Sequence, residues 1–338
     1  QPELVGVLRL RGERDLLSAT SRPAPRADRG TGPLLLAAGA ALWGTTGTSQ
    51  ALLDGALPAA AVGAIRVLVG GLALAAVAAP GIRAAVPHLR RARGPLLAAT
   101  FATAAYQPAF FVGVREAGVA VGTILTVGAA PFLAGLIGLV LGDHRPSRRW
   151  LGTTTLAATG LVVLVLPRAA GDAVAARGVL AALAAALAFA AYTVAAKRLL
   201  VRGVPRLAAV AVPFLGAGLL LAPVLVAALR GADPGRVLAP EVLGVVAWLG
   251  LGATAVPYLL FTAGLRGVPA VTGATMALAE PLTATMLGVV LLGERLGPLR
   301  VVGAATVGIA LLLAARRPDR DVGAAEPAAA GVPHPPRR

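Results

Sequence analysis

Two ionisable residues stand in stretches that water should not reach. Glu280 lies eleven residues into the apolar run 269–292, and Arg66 lies seven residues into the run 59–79. A charge in hydrocarbon costs several kcal/mol unless it pairs or faces a cavity. Glu280 is therefore read either as a binding and proton-carrying group or as a brace for the kink at Pro281. Arg66 is read either as an anion-binding group or partner of Glu280, or as a side chain that snorkels to the headgroups. Trp43, Tyr106, Gln107, Tyr192, Thr193 and Tyr258 are the polar or amphipathic groups inside other apolar runs. Each needs a hydrogen-bond partner there, from another helix or from a bound solute. Together with Arg66 and Glu280 they are the candidates to line a substrate pocket.

Other chemistries lack their residues. Without a cysteine there is no disulfide, thiolate or Cys-based metal site. His88, His144 and His334 fall far apart in loops or tail, so no metal site is expected. No Gly-Lys-Ser/Thr phosphate loop, Ser–His–Asp order or HExxH string occurs. The reading is of a protein that is not an enzyme, with no catalytic residue and no cofactor. Pro108, Pro131, Pro213, Pro257 and Pro281 lie within apolar runs, where each frees a carbonyl and bends its helix. Pro131 and Pro281 are the candidate gating kinks. Asp143 and Glu294 read as solvated helix caps, and Trp150 as part of an interfacial aromatic belt.

The elements that must position these residues follow from composition. The 338 residues are 57% hydrophobic and 14% charged, against about 25% charge in a soluble domain. Apolar runs of span length recur at 33–53, 59–79, 94–114, 117–141, 150–167, 178–198, 207–229, 241–264, 269–292 and 298–315. An all-α integral membrane protein of ten transmembrane helices is expected, with the lipid bilayer as its surroundings. The net charge of +16 does not point to nucleic acid, because the arginines sit in short loops between spans. Twenty-three of the 31 Lys and Arg fall on the side of the N-terminus, seven on the other, and Arg66 within a span. That asymmetry puts both termini in the cytoplasm of a cell with the protein in its plasma membrane. Residues 1–32 are basic and Pro-containing without an apolar core, unlike a secretory signal peptide, and read as a disordered cytoplasmic arm. Residues 316–338 read as a disordered tail.

The string "ATAAYQPAFFVGVR" (102–115) returns as "ATAVPYLLFTAGLR" (253–266), an offset of 151 with the ending Phe–x–x–Gly–x–Arg kept. Gly122 returns as Gly273, Pro131 as Pro281, "LVLGDHR" as "LLGERLG" and Gly152 as Gly303. The chain thus divides into two five-helix repeats, 33–167 and 178–315. Because five is odd, the second enters from the opposite side. Inverted repeats give two near mirror-image states with a site between them near the midplane, which is the architecture of alternating access. Secondary active export of a small metabolite or drug-like organic solute by alternating access is the leading function, by a monomer or homodimer, with protons as a candidate coupling ion. The rivals are a membrane scaffold or sensor and, ranked lower, a membrane enzyme acting on a lipid-linked substrate through Glu280 and Arg66. Uptake stays open beside export.

Over residues 33–315 the chain resembles the EamA-type transporters of the drug/metabolite transporter superfamily. The resemblance rests on "LWG" in the first span, an Arg early in the second, and above all "AEPLTATMLGVVLLGERLG" (279–297). The first repeat departs from that pattern, with Ala130 in the place of Glu280 and Asp143 in that of Glu294. The resemblance implies a ten-helix exporter of small metabolites or drugs and leaves the substrate open.

Overall fold

A computed structural model describes residues 31–53, 55–117, 119–143, 147–165, 176–292 and 297–316. The arm expected over 1–32 lies outside the described residues save for its last two, and the tail lies outside them save for Arg316. His144, His334, Gly118 and Glu294 lie outside them too. Among the described residues every element is a helix and none is a strand.

The chain runs α1 (Thr31–Trp43), α2 (Thr45–Ala51), α3 (Ala59–Arg91), α4 (Arg93–Ala117), α5 (Val119–Val140), α6 (Arg148–Val165), α7 (Ala176–Val201) and α8 (Arg206–Leu229). A single turn, α9 (Pro234–Val237), leads to α10 (Pro240–Gly250), a π-helical turn at Leu251–Ala255 and α11 (Val256–Gly264). There follow α12 (Ala270–Met276), α13 (Ala279–Leu292) and α14 (Pro298–Arg316). Among the described residues eight helical stretches are long and apolar enough to cross a bilayer: α3, α4, α5, α7, α8, α10 through α11, α12 through α13, and α14. The first expected span divides at Gly44 into pieces of 13 and 7 residues. The fifth, α6, opens on two arginines and carries four threonines.

Three boundaries differ from the sequence reading, each for a local reason. The second span was expected to end at residue 79, yet α3 continues through Pro80 and Pro87 to Arg91. A proline costs a helix one hydrogen bond and bends it without having to end it. His88, Arg90 and Arg91 in the last turn also complement the negative end of the helix dipole. The eighth span takes up its proline through the π turn that ends two residues before Pro257. The ninth is two helices parted at Ala277–Leu278, with Glu280 and Pro281 in the first turn of the second.

The broadest pairings are α4 with α7, α3 with α8, α6 with α14, α5 with α7 and α1 with α11. Small residues allow them, as is usual where lipid supplies no hydrophobic drive between helices. A Cβ on Gly71 would stand 2.8 Å from the Phe214 carbonyl oxygen, and one on Gly218 2.7 Å from Leu68 Cα, so α3 and α8 touch backbone to backbone. Phe214, Phe261, Leu36, Leu199 and Leu265 are fully buried within the bundle. Leu72, Phe101, Leu136, Leu219 and Leu312 stay exposed on its outside, a surface suited to acyl chains.

Candidate functional site

The aromatic residues of five helices meet in one cluster. Trp43 of α1 packs on Tyr258 (4.8 Å between ring centroids) and Phe261 (5.1 Å) of α11, and on Phe189 (5.8 Å) of α7. Tyr258 in turn packs on Phe214 of α8 (4.2 Å) and Tyr192 of α7 (5.4 Å), while Tyr106 of α4 reaches Phe189 at 6.3 Å. Between them lies a cavity of about 10 Å³ bounded by Thr103, Tyr106, Gln107, Phe189, Tyr192 and Tyr258 with Ala102 and Ala188. That is room for about one water, so the walls must part before an organic solute could enter.

Gly39, Gly44 and Gly63 make this convergence possible. A Cβ on Gly39 would meet the Pro257 carbonyl oxygen at 2.8 Å, holding α1 against the start of α11. One on Gly44 would meet the Glu280 carbonyl oxygen at 2.7 Å, so the break between α1 and α2 sits on the first turn of α13. Gly63 leaves space for the Phe111 ring and for Gln107 Oε1.

Arg66, three residues beyond Gly63 on α3, and Glu280 are both partly buried. They act electrostatically on each other and on the Tyr106 and Tyr258 hydroxyls. No ion pair joins them among the described residues, and Arg66 Nε and Trp43 Nε1 are buried donors without a hydrogen-bond partner. Buried donors of this kind call for a water, an ion or a solute. The break before Glu280 also gives its carboxylate the positive end of α13, which favours a negative charge there. Pro281 occupies that same first turn, where a missing N–H costs little. Pro131 instead sits inside the unbroken α5.

Of the eight pocket candidates, Tyr106, Gln107, Tyr192 and Tyr258 line the cavity, Trp43 abuts it, and Arg66 and Glu280 stand within electrostatic reach. Thr193 does not join them: fully buried, its Oγ1 donates to Phe189 O at 2.9 Å and its methyl faces Gly273 of α12. Phe189, Phe214 and Phe261 belong to the cluster, and of these Phe189 and Phe214 carry no sequence signal beyond their type. Phe110, which stacks on Tyr106 at 5.6 Å, and Phe261 hold matching places in the repeated string.

Two further expectations are corrected. Asp143 is more than a solvated cap: Arg198 of α7 grips it through Nε and Nη2 at 2.9–3.0 Å and also donates to Leu141 O. The sequence separates them by 55 residues, and only the packing of α5 on α7 joins them. Trp150 is buried against Phe132 and Gly135, with Nε1 unpartnered, because the absence of a side chain at Gly135 opens a seat for its ring. Lys197, which carried no sequence signal, is buried beside Arg198. Its Nζ donates to Leu265 O (3.0 Å) and Val268 O (2.9 Å), closing the C-terminal end of α11.

The model of the EamA-like transporter family matches residues 30–166 and again 176–316, the two segments that contribute Arg66 and Glu280 respectively. The chain belongs to the EamA-like transporter family. It is a multi-pass membrane protein of a transporter family. It is 39% identical over 277 residues to the uncharacterized transporter YwfM of Bacillus subtilis, covering 82% of this chain and 90% of that one. To an uncharacterized protein of Pseudomonas aeruginosa it is 34% identical over 274 residues, covering 79% and 88%. A crystal structure at 22% identity superposes with a TM-score of 0.68 over 86% of this chain and 96% of its own, a likeness of fold alone.

Proposed function

We propose that this EamA-family chain is a secondary active transporter that exports a small metabolite or drug-like solute from the cell by alternating access. The observation that carries the reading is the unpaired Arg66 and Glu280, one from each matched segment, beside an aromatic cavity closed to about 10 Å³. The guanidinium and carboxylate offer counter-charges to a polar solute, and the rings offer faces to its body. A closed cavity between helices that must separate suits a carrier better than a pore. The family supports a non-enzymatic role.

The finer architecture in this proposal is ten spans in two inverted repeats. α1–α2 and α6 complete the count. The pairings support the exchange of halves: α4 with α7 maps onto α11 with α1, whereas α3 with α8 and α6 with α14 map onto themselves. The matched glycines support it too. Gly113 lets α4 reach Ala182 of α7, and Gly264 lets α11 reach Gly32 of α1. Gly122 packs on Val114 and Gly273 on Leu265, residues that are themselves matched at an offset of 151. Both termini are cytoplasmic in this reading, by the Lys and Arg asymmetry.

Counterflow tests the function. The full chain in liposomes, loaded with unlabelled solutes from a metabolite panel, should accelerate entry of the matching labelled solute, and Arg66→Gln should cut that rate at least tenfold. If no solute in a panel of anionic, cationic and zwitterionic metabolites exchanges through correctly folded protein, the carrier reading fails in favour of the scaffold or sensor.

A further inference from the structure

A second charged pocket lies at the opposite end of α3 from its first residue. It measures about 320 Å³ and is bounded by Ala78, Gly81, Pro205, Arg206, Leu207, Ala208 and Arg266. Ala78 and Gly81 stand 19 and 22 residues after Ala59, the first residue of α3. At about 1.5 Å per residue this is roughly 30 Å, the thickness of the hydrocarbon core. The pocket therefore opens at a bilayer boundary. α3 runs on for ten residues past Gly81, carrying Arg83, Arg90 and Arg91 into the headgroup layer.

Its charge is one-sided. Residues 55–115, 176–232 and 242–279, which include every wall of the pocket, contain no Asp or Glu. Asp143, at the C-terminal end of α5, is held by Arg198. Arg206 and Arg266 are exposed and have no carboxylate partner among the described residues. Arg206 is also the first residue of a 24-residue helix, whose N-terminal end adds positive potential. Behind the two guanidinium groups the wall is apolar, with Ala78 and Ala208 almost fully buried. A free anion would use only the charged half of such a slot.

We propose that this pocket holds the phosphate of an anionic phospholipid, with Arg206 and Arg266 on its oxygens and Ala78, Leu207 and Ala208 against the first carbons of the acyl chains. Arginine suits a phosphate through paired N–H donors, and basic pockets between spans are a recurring way to bind acidic headgroups. Arg266 follows α11, which carries Tyr258, and α3 carries Arg66. A bound lipid would thus tie together two helices of the central cavity. The proposal takes the membrane reading but no particular solute or direction of transport.

The test is native mass spectrometry and thermal unfolding of the full chain in detergent, with phosphatidylglycerol, phosphatidylcholine or inorganic phosphate added. Phosphatidylglycerol should bind and raise the unfolding temperature, while phosphatidylcholine and inorganic phosphate at equal concentration should not. The double variant Arg206→Gln/Arg266→Gln should bind phosphatidylglycerol roughly thirty-fold more weakly, the effect of two arginines at a membrane surface. Arg230→Gln, in the α8–α10 connection, should leave binding unchanged. Equal binding of phosphatidylcholine would overturn the proposal, as would displacement of the lipid by inorganic phosphate at equal concentration. Unchanged phosphatidylglycerol affinity in the double variant would overturn it as well. If the double variant fails to fold, the wild-type comparison of the three additives decides alone.

Discussion

Replacing Glu280 by Gln tests whether a proton drives the transport. Among the described residues Glu280 is the one acid within the spans: Glu116, Asp143, Asp233 and Glu241 all lie at helix ends or connections. If this one carboxylate near the cavity carries the proton, the stoichiometry is one proton per solute. A pH difference of one unit is about 1.4 kcal/mol per proton, hence up to about tenfold accumulation of the counter-transported solute. The sign follows from exchange. In liposomes with an acidic lumen protons leave, solute is drawn in, and the ratio of inside to outside concentration approaches ten per pH unit. With an alkaline lumen the solute is driven out. Gln keeps the size and much of the hydrogen bonding but cannot release a proton, so the ratio should fall to about one, while exchange of labelled for unlabelled solute continues. Steady-state uptake of the solute found by counterflow, measured across pH gradients of zero, one and two units, reads both. A wild-type ratio indifferent to the gradient, or a Glu280→Gln ratio that still rises tenfold per unit, refutes the coupling role and returns Glu280 to bracing the helix break.

The proposed inverted arrangement predicts that Arg115→Cys reacts with an impermeant thiol reagent on intact cells and that Gly267→Cys does not, against no background from a chain without cysteine; equal labelling from outside would contradict it. Gly113→Ala and Gly264→Ala should each destabilise the protein by about 1–3 kcal/mol through overpacking, since the new Cβ would stand 2.8 Å from Ala182 N and 2.6 Å from Gly32 O. Gly152→Ala, with open space around it, should be neutral in the same thermal-unfolding assay. Lys197→Met should cost about 2 kcal/mol in that assay, because two charge-assisted bonds to Leu265 O and Val268 O are lost together. An unchanged unfolding temperature would mean that the α11 end is satisfied some other way.

Much was legible in the chain because a membrane imposes one-dimensional rules. Span-length apolar runs and the family assignment needed no coordinates, since a bilayer fixes helix length and lets few charges inside. The repeated string also singled out Gly113 and Gly264, whose matched contacts are then seen in the packing. What the sequence could not decide was how the helices break and which side chains face one another. Gly44, the π turn before Pro257 and the parting at Ala277–Leu278 are local departures from the helical hydrogen-bond pattern that hydropathy does not register. The last of them turns Glu280 from a mid-span residue into the first turn of a new helix. Thr193 and Tyr192 are adjacent in the chain, yet they point to different neighbours because successive helical residues lie about 100° apart. The pairing of Arg198 with Asp143, the burial of Lys197 at a helix end and the slot between Arg206 and Arg266 all join residues distant in sequence. Composition places charges at a boundary. Only the packing of specific helices, set by where glycine and alanine allow backbones to approach, decides which charges meet.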